Sequence, residues 1–306
     1  MSADRNECPR LGECGGHFWA PQMKGVYVMS PLAGAFLTVH TPRYCTLEAA
    51  IEGKLASEVF RPVRNGLVAQ GEAVALARPD VTVINSCHLI TTFPTVVDGT
   101  PRHQGVLTAQ EAPEIIHGVP YDYPGDYDLA ARLIARGQAA GRQCVLANDV
   151  HYPLDYGTVM PMLCYLDRAQ RIPIVPVSVC LSADLNEAYE WGRHVAQVAR
   201  DSAKRVGFVA SGSVSHKLVR GPERAPLPED QELDHRFARL LADGEFEKLW
   251  AWLPEFTRTT QAEMGGRHLA MLLGAIIESG HRFVPTVHAY GPSSGSGNYV
   301  ISLLAT

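Results

Sequence analysis

Three residues in this chain carry side chains that could share one metal ion: His40, His88 and Glu263. His40 closes the apolar run Ala35-Phe36-Leu37-Thr38-Val39, and His88 follows Val81-Thr82-Val83-Ile84-Asn85-Ser86-Cys87. Glu263 heads a stretch with helical pattern that runs on to residue 277. Two neutral imidazoles and one carboxylate make the facial set that holds Fe(II) and leaves positions open for substrate and O₂. Taken singly, each has a plainer reading. A histidine after a strand also fits a surface or satisfied core position, and a Glu at a helix start answers the helix dipole. Spacing along the chain cannot by itself bring the three together.

Two further segments offer chemistry. Ser211-Gly212-Ser213-Val214-Ser215-His216 follows an apolar strand at 206–210, and a turn of small residues lets backbone approach a ligand with His216 projecting over it. Asp155-Tyr156-Gly157-Thr158 presents a phenol at a turn. An ordinary strand-to-loop turn and a tyrosine packed over a glycine fit these two segments equally well. The Gly/Ser stretch at 291–297 has no following Lys-Ser/Thr and leads into a strand, which excludes a phosphate loop. Gly212 and Ser213 do not complete a serine-hydrolase elbow.

The elements that must position these residues alternate. Strands are predicted at 26–29, 35–39, 81–84, 143–147, 172–180, 205–210, 284–290 and 298–303. Helices are predicted at 47–77, 127–140, 187–202, 233–242, 246–253 and 263–277, with a turn and helix at 155–167. Pro173 and Pro176 place the 172–180 strand at an edge or a bulge. Residues 93–127, rich in Pro, Gly, Tyr and Asp, read as a long functional loop or lid, and 221–230 as a proline-rich linker. Residues 1–24 read as an irregular arm, with 25–306 forming the folded domain. The expected fold is α/β: a single layered domain with a central mixed β-sheet flanked by helices.

Composition narrows the function. A chain of 306 residues with 46% hydrophobic and 19% charged content can bury a substantial core. A net charge of −5 without a Lys/Arg run argues against nucleic acid, and the apolar stretch at 269–277 is too short to span a membrane. The polar N-terminus and seven dispersed cysteines suit a reduced cytoplasm. Cys8, Cys14 and His17 suggest a partial zinc site with no fourth ligand at useful spacing.

From about residue 34 onward the segments, in order, resemble the class III extradiol ring-cleavage dioxygenases, the family of the protocatechuate 4,5-dioxygenase β subunit. The motifs are Gly34 through His40-Thr41-Pro42, Pro79-Asp80-Val81 through Ser86-Cys87-His88, Ser215-His216, and Ala262-Glu263-Met264-Gly265. Asp155-Tyr156-Gly157-Thr158 tilts the resemblance toward 2-aminophenol 1,6-dioxygenase. It implies Fe(II) on His40, His88 and Glu263, with His216 as acid/base and Tyr156 contacting the substrate. The implied reaction takes a small aromatic substrate, a catechol or 2-aminophenol, and O₂ to a ring-opened semialdehyde. A homo-oligomer, or assembly with a homologous subunit, is implied too. Two alternatives stay open: a non-catalytic scaffold subunit of a two-subunit aminophenol enzyme, and a zinc hydrolase on the same fold. Arg43, Arg102 and His103 could meet a substrate carboxylate.

Overall fold

The structure, a computed structural model, describes residues 31–46 and 58–306. The 1–24 arm, the 26–29 strand, the Cys8/Cys14/His17 group and the first part of the 47–77 helix lie outside the described residues. Ten strands and seven α-helices follow in chain order among those described: β1 Leu32–Thr38, α1 Arg61–Ala77, β2 Val81–Thr91, β3 Thr95–Asp98, β4 Arg102–Leu107, β5 Val119–Pro124, α2 Tyr127–Ala139, β6 Cys144–Ala147, α3 Tyr156–Pro161, β7 Ile174–Cys180, α4 Leu185–Asp201, β8 Val206–Ser211, α5 Pro228–Ala242, α6 Phe246–Thr260, α7 Arg267–Ser279, β9 Phe283–Ser293 and β10 Ser296–Ala305.

Eight strands form one mixed sheet in the order β6-β3-β7-β2-β8-β1-β10-β9. The neighbours β7, β2, β8 and β1 run parallel; β10 pairs antiparallel with β1, and β9 antiparallel with β10. Strand alternation sends successive side chains to opposite faces, so both faces carry a core. Leu32, Ala35 and Leu37 of β1, Val81 and Val83 of β2, and Val206, Phe208 and Ala210 of β8 pack on the face covered by α2, α4, α6 and α7. Ala33 and Phe36, Ile84 and Val209 pack on the other, with α1 and α3. Helices α4 and α7 approach unusually closely. A Cβ on Gly192 would fall 1.9 Å from the Met271 carbonyl oxygen, and one on Gly274 would fall 2.0 Å from that of Tyr189.

Four sequence expectations change. The 172–180 strand is interior rather than at an edge: β7 is fully buried between β2 and β3. Its proline is tolerated because β3 meets it at one register position, Val97 with Val177, instead of along a full ladder. The irregularity lies in β2, whose pairing with β7 jumps from Ser86–Ser178 to Ile90–Val179. Residues 93–127 are not structureless: they hold β3 and the β4–β5 hairpin, a separate two-stranded sheet. The hairpin's half-exposed alternation and its Pro, Tyr and Asp content hide it from an apolar-run reading. Finally, α5 begins at Pro228, inside the expected linker, and α6 continues through Pro254 to Thr260.

Candidate metal centre

Parallel strands deliver their carboxyl ends to one edge of a sheet, where ligands of α/β proteins gather. Here three adjacent strands do so. β1 ends at Thr38, two residues before His40; β8 ends at Ser211; β2 carries His88. His88 does not follow its strand, as the sequence suggests, but sits within the irregular stretch between Ser86 and Ile90. Such a bulge bends the strand and re-aims a side chain. Glu263 does not open α7 either. It begins a 3₁₀ turn, Glu263–Gly266, in which Met264, Gly265 and Gly266 all have positive φ (47°, 65° and 76°). This left-handed stretch kinks the chain between α6 and α7 and leaves the buried carboxylate facing the strand ends.

One ligand atom from each of His40, His88 and Glu263 lies within 4.8 Å of the other two. Glu263 Oε1 is 3.2 Å from His40 Nε2 and 3.5 Å from His88 Nε2. Ligand atoms about 2.1 Å from an ion and about a right angle apart stand about 3 Å from one another, so the donor set fits a single cation. The imidazoles meet edge to face, with centroids 4.7 Å apart.

The surroundings fix which atoms face the centre. Ser211 Oγ donates to the Gly157 carbonyl oxygen at 2.7 Å, leaving its lone pair to accept from His40 Nδ1–H at 3.0 Å. That tautomer presents His40 Nε2 as a free donor atom. Glu263 Oε2 accepts from the Ser213 amide at 2.6 Å, and Oε1 remains for the centre. His88 Nδ1 stands 3.4 Å from Glu111 Oε1, and its Nε2 is 2.7 Å from the Tyr156 hydroxyl. Asp155 caps α3 through Thr158 and also accepts from Ser86 Oγ, whose oxygen in turn accepts from the His88 amide. Gly157 lies where no side chain fits: a Cβ there would sit 2.3 Å from Ser86 Oγ and 3.2 Å from His40 Nδ1.

His216 completes the group, with Nε2 3.9 Å from Glu263 Oε1 and its side chain half-buried. Burial lowers its pKa against the pull of Glu263, which keeps the imidazole neutral over a wider range. For Glu263, burial works to raise the pKa, but the charge His40 carries when protonated, and the hydrogen bonds His40 and His88 then donate, outweigh it. The carboxyl is held well below the usual range. Burial, then the Glu263 and Glu111 charges, push the Tyr156 phenol well above its ordinary value. All five sequence candidates therefore meet at one place.

Residues 34–301 match the family described as the catalytic LigB subunit of aromatic ring-opening dioxygenase. The chain belongs to the class III extradiol dioxygenase (LigB) family. Among curated LigB-family relatives, it is 24% identical over 204 residues to an Escherichia coli 3,4-dihydroxyphenylacetate 2,3-dioxygenase, covering 64% of this chain and 74% of that protein. It is 25% identical to the Pseudomonas 2-aminophenol 1,6-dioxygenase alpha subunit, over 76% of this chain and 86% of that subunit. It is 24% identical to the beta subunit of that enzyme, over 73% and 77% respectively. A crystal structure of an uncharacterized Escherichia coli protein shares the fold, with TM-score 0.62 at 18% identity over 89% of this chain and all of that one.

Beside the trio of this LigB-family chain opens a cavity of about 380 Å³, walled by His88 and Tyr156, by Val106, Leu107 and Glu111 of the hairpin region, and by Tyr121. A larger cavity, about 730 Å³, lies at the opposite ends of the strands near Leu32 and Asp80. Its cations are engaged: Arg200 with Glu278, Lys204 with Asp126, and Arg205 with the Ala77 and Arg78 carbonyls. Volume alone would mislead here, because the donor set sits at the smaller one. Ser211 and Ser213, small polar residues at the end of a buried strand, were visible in sequence only as a turn. Glu111 carried no signal at all. Of the residues considered for a substrate carboxylate, Arg102 pairs with Asp122 on the hairpin surface and His103 lies buried 3.6 Å from Asp98. His268, buried against Cys87, and the exposed His151 supply no ligand.

Proposed function

We propose that this protein is a non-haem Fe(II) extradiol dioxygenase. It opens the ring of a small aromatic vicinal diol or 2-aminophenol with O₂ and releases a semialdehyde-type product. The observation that supports the reading most directly is the convergence of two imidazole nitrogens and one carboxylate oxygen within 4.8 Å, in a family of ring-opening dioxygenases. His40, His88 and Glu263 would hold the metal, and residues 25–306 would form the catalytic domain with 1–24 outside it. Among the described residues no helix is long and apolar enough to cross a membrane.

A ferrous ion on this set supplies the electron route and the template that bring ring and O₂ together. The chain's own groups do the rest. The neutral His216 imidazole takes a proton from the ring hydroxyl and returns it to the oxygen freed when the O–O bond breaks, which ends in the product's carboxyl group. Tyr156, whose hydroxyl now rests on His88 Nε2, is freed toward the substrate's hydroxyl or amino group once that nitrogen is committed to metal. The hairpin and the 152–156 segment line the cavity that would receive the ring.

Anaerobic loading with Fe(II), followed by oxygen uptake with a panel of catechols and 2-aminophenols, tests the reading. About one iron per chain and oxygen consumption are expected. Failure to load iron would favour a scaffold subunit, and loading with zinc-dependent hydrolysis but no oxygen uptake would favour a hydrolase. His216→Ala should keep iron and substrate binding and lose about 100-fold or more in kcat. Loss of iron from that variant would refute its assigned role.

A further inference from the structure

Among the described residues, the cavity beside His88 is charged on one sign only. Among the described residues that line it there is no Lys or Arg, whereas Glu111 and Asp155 both do. The two carboxylates differ in what remains free. Asp155 is spent inside the protein: Oδ1 accepts from Ser86 Oγ and the Thr158 amide, and Oδ2 accepts from Thr158 Oγ1. Glu111 is 60% exposed, with His88 Nδ1 at 3.4 Å as its neighbour. Its backbone is held in place. The loop joining β4 to β5 is braced by Ala109 N to Ile116 O at 3.0 Å, and by Ile115 N and Ile116 N to Ala112 O at 3.0 Å each. The acidic group therefore stands ready at the cavity wall, away from the His88 nitrogen that faces Glu263.

We infer that this site selects aromatic vicinal diols or aminophenols whose side arm ends in a protonated amine, and that Glu111 is the residue that recognises it. The inference rests on the dioxygenase reading above and names the substrate class within it. A ring chelated at the trio would extend its side arm along the cavity. A cationic end meets Glu111, the one available anion among the described lining residues. A carboxylate end finds no cation among the described lining residues and would be desolvated against Glu111, which discriminates by repulsion as much as by attraction. Arg102, the nearby arginine of the hairpin, does not supply the missing charge because it is paired with Asp122.

The test uses the full chain loaded with Fe(II) and three catechols that differ only at the side arm: 4-ethylcatechol, 4-(2-aminoethyl)catechol and 3,4-dihydroxyphenylacetate. Oxygen uptake gives kcat/KM, and anaerobic titration calorimetry gives affinity without turnover. The amine should exceed the neutral compound by about tenfold in both readouts, and the carboxylate should fall about tenfold or more below it. Glu111→Gln should bring the amine-to-neutral ratio to about one, and Glu111→Lys should reverse the order of amine and carboxylate. Glu114→Gln, which removes the same charge from an exposed position outside the cavity lining, should leave the ratio as it was. A carboxylate bound as well as the neutral catechol, or an amine advantage that survives Glu111→Gln, overturns the inference. If nothing is turned over while the affinity order holds, the dioxygenase reading fails and the inference stands. If none of the three binds, both fall.

Discussion

Of the carboxyl groups buried among the described residues, two, Glu263 at 2% exposure and Asp234 at 0%, are held in opposite states. Glu263 faces three imidazoles and one backbone amide, and its pKa is driven well below the ordinary value in spite of burial. Asp234, on α5, accepts from the hydroxyls of Ser215 at 2.6 Å and Tyr290 at 2.8 Å, and its other oxygen has no hydrogen-bond partner among the described residues. With neutral donors only, burial and the nearby Asp230 push it up to about 7. Burial is common to both. Basic neighbours make one of them an ionised ligand, and their absence leaves the other an acid near neutrality.

The largest effect expected from this contrast is at Glu263. Glu263→Gln should lower iron affinity more than about 1,000-fold, about 4 kcal/mol, read by anaerobic equilibrium dialysis. Retention of near-native affinity would mean that the trio is not the metal site. Asp234→Asn should act with the opposite sign, on stability. Between pH 3.8 and about 7 the folded chain holds a proton on Asp234 that the unfolded chain has released. The stability this group contributes is thus whole below the lower value and lost as pH rises through the upper one. Relative to wild type, Asn should therefore gain with rising pH, by up to about 4 kcal/mol at pH 8. Urea unfolding at pH 4 and pH 8 checks this, and a difference independent of pH would contradict the assigned state.

Smaller effects sharpen the ligand side. Ser211→Ala removes the acceptor that sets the His40 tautomer, and should weaken iron about 10- to 100-fold without unfolding the chain. A melting-temperature rise on Fe(II) addition that matches wild type would show the tautomer to be set elsewhere. Tyr156→Phe deletes one hydrogen bond at His88, worth about 1 kcal/mol. Because that bond is given up on metal binding, its loss should raise iron affinity by no more than about fivefold, and kcat should fall. An iron-free variant would instead make the phenol part of the ligand set.

Much of this was legible in the chain. Apolar runs ending in His40, at His88 and before Ser211 announce buried parallel strands, and the left-handed chemistry of Gly265 and Gly266 was there to be read beside Glu263. What hid was contact between distant segments. Ser211 reaches His40 across 171 positions, and the register that brings them together belongs to the β1–β8 pairing rather than to either local sequence. Glu111 was invisible for a different reason: its hairpin folds through half-exposed strands whose polar residues imitate a loop. Met264 at positive φ went unforeseen because the fold imposes that conformation against the residue's own preference.

The irregular stretch of β2 has one more consequence. Upstream of Ser86 the strand is locked to both β7 and β8, and from Ile90 it is locked to β7 again, so the three residues between form slack inside an otherwise rigid element. Gaining or losing a residue there would reposition one imidazole while the surrounding lattice of strands kept its alignment. A descendant lineage could retune this pocket by editing length at that spot, without rebuilding the scaffold around it.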